Sequence, residues 1–167
     1  MKRILLILSL ALMMASCGQK MTVEEINKLE SQVFAKDIKV EKENVVKLVD
    51  AYVLYAKQNP DDVKSPDYLF KVLDVAVGIN AEGPQKAIDI ADVMIEQYPD
   101  FEMTPMAMFL KGFVYENMMM DYEKALDTYY QFLDKYPNSP LVNDVKSTIE
   151  NIGLTPEELI KKFEENE

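Results

Sequence analysis

The sequence predicts an all-α protein, an array of antiparallel helix hairpins stacked in series, and three observations predict it. First, one segment recurs. "KLVDAYVLYAKQNPD" at 47–61, "KAIDIADVMIEQYPD" at 86–100 and "KALDTYYQFLDKYPN" at 124–138 align without gaps. Each reads Lys, two apolar residues, Asp, and then Pro thirteen positions after the Lys; the copies are 39 and 38 residues apart. A fixed period of this size marks helical repeats, which stack because one hairpin cannot bury its own apolar face. Second, Tyr122, Ala125, Leu126, Tyr129, Phe132, Leu133 and Tyr136 recur at three and four, one face of an α-helix. Third, eight prolines against only five glycines fall where helices should start and stop.

In chain order the spacing predicts eight helices, at about 23–36, 43–58, 66–80, 84–98, 105–119, 121–136, 140–152 and 155–166. "TVEE" at 22 opens the first with a capping box, Thr22 with Glu25. The second runs into "NPDD" at 59, where Pro cannot donate the next ladder hydrogen bond. "SPDY" at 65 puts Ser at the N-cap and Pro at the first position of the third. The fourth stops at "YPDF", "TPMA" at 104 opens the fifth, and the sixth stops at "YPNS". "SPLV" at 139 opens the seventh, and "TPEE" at 155, Thr155 with Glu158, opens the eighth with a second capping box. Segments 67–79 and 105–119 are apolar nearly all round, so they should be covered on more than one side.

The chain has 167 residues, 49% hydrophobic and 28% charged, ordinary values for a folded protein. Its formal net charge is −11. A surface this acidic repels phosphate backbones, which argues against nucleic acid as a partner. The charge serves solubility, with steering of a basic partner as the second reading.

The amino terminus "MKRILLILSLALMMASC" has a basic start at Lys2 and Arg3, a short apolar core from Ile4 to Met14, and small residues Ala15 and Ser16 before Cys17, the one cysteine of the chain. The apolar run is shorter than the ~20 residues that span a bilayer. Read alone, it fits an ordinary secretory signal, an anchor helix, or a segment ending at a modified cysteine. "MASC" resembles the bacterial lipobox, with Met14 as an unusual first member. That resemblance implies cleavage after residue 16 and a covalent lipid on Cys17, the chain's membrane attachment, with 17–21 as a short tether. Stable anchoring takes more than one acyl chain, which such a cysteine carries. Gly18 follows, where an Asp would imply inner-membrane retention, so the resemblance implies the outer membrane. No acidic pair comes directly after Lys20, which favours the periplasmic face.

The third copy also carries a resemblance. "GFVYENMMMDYEKALDTYYQFLDKYP" looks like a tetratricopeptide repeat: Gly112 and Tyr115, then Ala125 and Tyr129, then Pro137 hold the family's spacing. Met108 and Lys111 replace the family's Trp and Leu, and the turn "NMMMD" is one residue longer than usual. The second copy keeps Ala87 and Pro99 but lacks the Gly and Tyr. The resemblance implies a right-handed superhelical array, with three repeats over 22–138 and capping helices over 139–167. More closely, the segment is similar to the small tetratricopeptide lipoproteins of Gram-negative envelopes that serve barrel assembly and Tol–Pal coordination. That implies an adaptor for protein partners of the cell envelope.

Nothing recommends an enzyme. Without His, and with a single Cys, neither Cys/His zinc sites nor Ser-His-Asp triads nor Cys-His dyads are available. No phosphate-binding glycine loop is present, and no acidic pair has calcium-loop spacing. No metal and no cofactor beyond the lipid is expected. The candidate docking surface lies on the leading helices of the hairpins, which line the concave side of such stacks: Tyr68, Lys71, Met106, Phe109, Phe113, Glu116 and Asn117. Six of the eleven methionines fall between Met103 and Met120, and at successive steps of 100° "MMM" cannot point wholly inward. A glycan- or peptidoglycan-binding lipoprotein is the alternative, lowered by the absence of Trp.

Overall fold

In the computed structural model, residues 20–34, 41–79 and 83–164 are described. The segment 1–16 and Cys17 lie outside them, as do the expected helix ends at 35–36, 80 and 165–166. The described residues form eight α-helices: α1 (Val23–Phe34), α2 (Lys42–Gln58), α3 (Lys64–Ile79), α4 (Pro84–Gln97), α5 (Thr104–Phe113), α6 (Tyr122–Lys135), α7 (Val142–Asn151) and α8 (Pro156–Glu164). A short π-helical segment, Val114–Met118, continues α5. No strand occurs among the described residues, and none of their helices is long and apolar enough to cross a membrane.

The chain divides into two compact units at the first proline stop, Met1–Pro60 and Asp61–Glu167. In the first unit, α1 packs on α2. The capping box forms: Thr22 N donates to Glu25 Oε2 at 2.9 Å and Glu25 N to Thr22 Oγ1 at 3.2 Å. Met21 N donates to Gln58 Oε1 at 2.7 Å, tying the start of α1 to the end of α2. Ile26, Val33, Leu48, Val49 and Tyr52 are buried, and Tyr52 satisfies its hydroxyl by donating to Glu30 at 2.6 Å.

In the second unit α3 packs on α4, α4 on α5, α5 on α6 and α6 on α7, and α3 also touches α5. The leading helices of successive hairpins therefore lie beside one another. Buried Met108, Ala125, Tyr129, Phe132 and Val145 form one core cluster, with Ile95, Phe109 and Ile149 packed against it. Of the apolar face predicted for α6, Ala125, Tyr129, Phe132, Leu133 and Tyr136 enter this cluster, while Leu126 is not part of it and Tyr122 is exposed.

The repeat is legible in the backbone. Asn59, Tyr98 and Tyr136, each before a proline, have φ/ψ of −136/59, −129/52 and −125/53. Proline disfavours the α region for the residue ahead of it. Each of the three still closes its helix by donating to the carbonyl four residues back, Tyr55, Met94 and Phe132, at 2.9, 3.0 and 2.8 Å. Beyond the stop the same turn recurs: Ser65 N donates to Asp62 O, Thr104 N to Phe101 O and Val142 N to Ser139 O.

The starts differ from expectation in an instructive way. Ser65 and Thr104 are fully buried and lie inside the first turns of α3 and α5, past the N-cap position predicted for them. Thr104 Oγ1 donates to Tyr98 O at 2.6 Å, and Ser65 hydrogen-bonds the Tyr98 phenol. Both hydroxyls serve a neighbouring element, because these positions lie inside the first turn and face the core. Ser139 accepts from Leu141 N at 3.3 Å within a turn, so α7 begins at Val142, two residues later than predicted. The box at Thr155 forms as predicted: Thr155 N donates to Glu158 at 2.8 Å and Glu158 N to Thr155 Oγ1 at 3.3 Å.

Candidate functional site

The site is built around α5. Thr104, Ala107, Met108 and Gly112 are its buried face. With 100° between successive residues, Met106, Leu110 and Phe113 fall together on the opposite side. Met106 and Leu110 are half-buried, and Phe113 is 37% exposed. The all-round apolar pattern predicts cover on more than one side; here the outward side is only partly covered, half at Met106 and Leu110 and less at Phe113.

The structure divides the predicted lining residues. Met106 and Phe113 share the outward stripe. Phe109 does not join them: it turns toward α6, its ring centroid 5.9 Å from that of Tyr129, and packs against the core cluster. Tyr68 on α3 is buried at 6% exposure. The Lys71 ammonium lies over its ring, 5.5 Å from the centroid, so the surface presented there is the lysine. Glu116 is half-buried and accepts from Tyr129 Oη at 2.8 Å, a structural bond inside the hairpin. Asn117 is exposed, and its amide donates to Phe113 O at 3.3 Å. The sequence reading missed Leu110, although its spacing from Met106 and Phe113 was the available signal.

The long turn has a structural form. Met119 N donates to Val114 O, five residues back, at 3.1 Å, and Asp121 N to Tyr115 O at 2.8 Å. A single extra residue in a helix is absorbed in this way as a π turn. The widened turn lets Gly112 stay against Tyr129 while Glu116 still reaches the Tyr129 hydroxyl. Met119 and Met120 are exposed, as three consecutive methionines require, and Met120 takes φ 55, the left-handed region. Asp121 then caps α6, accepting from Lys124 N at 3.1 Å.

Lys111, where the family has Leu, has a local reason as well. It lies largely buried between helices, donates to Asp92 on α4 at 2.6 Å and passes over the Tyr115 ring. Burial, with Glu116 beside it, pushes the Tyr129 phenol far above its ordinary range. Burial, with Asp61, raises Tyr98, and burial, with Asp100, raises Tyr136.

Beside the N-terminal end of the stripe lies a mainly apolar pocket of about 420 Å³ between two successive inter-hairpin turns. Met103, Pro105, Met106, Tyr136, Pro140 and Leu141 line it, with Glu102 and Lys135 among its polar members. Among the described residues, no group of three His, Cys, Asp or Glu side chains is placed to hold a metal ion.

Residues 106–139, which contain the stripe, the π turn and α6, match the tetratricopeptide repeat family model. No curated protein and no solved structure matches the chain. The match and the all-helical hairpin architecture together support a tetratricopeptide-repeat protein. Such repeats are typically non-catalytic scaffolds that bind protein partners.

Proposed function

We propose that this protein is a lipid-anchored adaptor of the outer membrane, facing the periplasm, that docks protein partners of the cell envelope on its repeat surface. The observation that carries the docking reading is the outward stripe of Met106, Leu110 and Phe113, within the segment that matches the repeat family. Adaptable thioether and aromatic side chains on one partly exposed helix face suit a partner's apolar anchors. The anchoring reading rests on the basic start, apolar core and "MASC" ending of the amino terminus.

Two measurements test it. Cys17→Ala should abolish incorporation of labelled palmitate; incorporation that survives the change overturns the anchor. A photo-crosslinking amino acid at Phe113, activated in native membranes, should give one or a few discrete adducts identifiable by mass spectrometry as envelope proteins. Adducts to saccharide alone would move the reading to a glycan-binding lipoprotein, and no adduct at all would overturn docking at this stripe.

A further inference from the structure

We propose that the pocket between the two inter-hairpin turns is the anchor socket of the docking surface, and that its occupant is a protein segment presenting a large apolar side chain beside a lysine or arginine. This rests on the docking reading of the α5 stripe and adds the chemistry of the partner. Continuity is the first argument. Met106 belongs both to the stripe and to the pocket wall, so the apolar track running from Phe113 through Leu110 ends in the pocket. The second argument is shape: an open cleft of about 420 Å³ bounded by Met103, Pro105, Tyr136, Pro140 and Leu141 has room for a bulky side chain.

Charge names the rest of the occupant. Glu102 lines the pocket, and Asp100 lies close enough to Tyr136, another lining residue, to raise its phenol. Both carboxylates are exposed and make no ion pair among the described residues. Lys135 is the basic residue of the lining: its ammonium donates to Ile95 O at 3.1 Å and lies over the Tyr136 ring at 5.7 Å. With two carboxylates against one ammonium, the net charge at the rim is negative, on a chain whose net charge is −11. A cationic group next to the apolar anchor meets that rim, and an anionic one is repelled.

The test uses the intact chain and two fluorescein-labelled short peptides, one alternating lysine with leucine and phenylalanine, the other identical but with glutamate for lysine. Fluorescence anisotropy should show the lysine peptide binding at least about tenfold more tightly. The double variant Asp100→Lys with Glu102→Lys, on exposed positions, should remove that preference without moving the melting temperature. Met103→Ser, inside the pocket, should weaken the lysine peptide by about tenfold or more. Equal binding of the two peptides overturns the inference, as does no measurable binding of the lysine peptide or indifference to both pocket variants. Phe113→Ser separates the two readings. If it alone abolishes binding while the pocket variants do nothing, docking on the stripe stands and the socket falls. The crosslinking at Phe113 judges the stripe independently of either peptide.

Discussion

Gly112 sits against the ring of Tyr129 so closely that a β-carbon on the glycine would stand 2.3 Å from Tyr129 Cε1 and 2.7 Å from Cδ1. The ring has nowhere to go. Tyr129 is fully buried, and its hydroxyl is held by Glu116 at 2.8 Å. Alanine is the better helix former by about 1 kcal/mol, yet overpacking a core contact costs about 1–3 kcal/mol. The clash should win. Gly112→Ala is expected to lower stability by up to about 2 kcal/mol, and Gly112→Leu by more, measured as the urea midpoint at unchanged m-value. A raised midpoint would mean that α5 and α6 can separate freely.

Three tyrosines of the second unit predict its alkaline behaviour. Tyr98, Tyr129 and Tyr136 all have phenols raised above the ordinary value of 10.0, with burial the largest cause in each. A raised folded value means that the folded state keeps its protons where the unfolded chain sheds them. The stabilisation is complete below pH 10 and drains away as pH rises above it. Stability measured by urea titration should therefore be flat from about neutral pH to about pH 10 and fall beyond it. Tyr129→Phe should make that fall shallower, while lowering stability near neutrality by about 1–2 kcal/mol through the lost bond and the stranded Glu116.

Met120 is the described non-glycine residue with positive φ, at 55, and it is 67% exposed. The left-handed region costs an ordinary L-residue about 1–2 kcal/mol, and glycine there loses only part of that gain to its freer unfolded chain. The side chain contributes a long contact, its sulfur accepting from Tyr122 Oη at 3.6 Å. Met120→Gly should raise stability by about 0.5–1 kcal/mol, read as an increase in melting temperature. A decrease would show that the methionine's own contacts outweigh its backbone strain.

What the sequence disclosed and what it hid follow one physical line. Periodicity and proline report local backbone preference, so the eight helices were readable to within a few residues, and the three equivalent stops before Pro60, Pro99 and Pro137 were readable directly. The two capping boxes were readable for the same reason. Ser65 and Thr104 were misread because a hydroxyl at a helix start can serve its own backbone or a neighbour's, and only packing decides. The one-residue excess at "NMMMD" was visible, but its form as a π turn depends on keeping both Gly112 and Glu116 in register with Tyr129. At the site, spacing alone grouped Phe109 with Phe113. The face of α5 that meets α6 is set by Gly112 and Met108, and it takes Phe109 with it and leaves Leu110 outside. The pocket was beyond reach, since its walls come from two turns a full repeat apart.

That division of the two phenylalanines supplies the last prediction. Phe113 is 37% exposed on the outward stripe, and Phe109 is packed against the core cluster with its ring beside Tyr129. Removing a large core side chain costs about 3–5 kcal/mol when it is fully enclosed. Phe109 is only half-buried, so Phe109→Ser should cost about 2–3 kcal/mol, with a visible drop in melting temperature. Phe113→Ser gives up less buried area, since water already reaches 37% of the residue, and should cost about 1 kcal/mol, clearly less than Phe109→Ser. Its effect belongs to binding: adducts or co-purifying partners at the stripe should disappear while circular dichroism stays that of the parent. The two variants are to be compared side by side, because a docking residue and a core residue exchange their signatures. If Phe113→Ser unfolds the protein and Phe109→Ser does not, α5 is rotated from its placement here and the docking face lies elsewhere on the repeat.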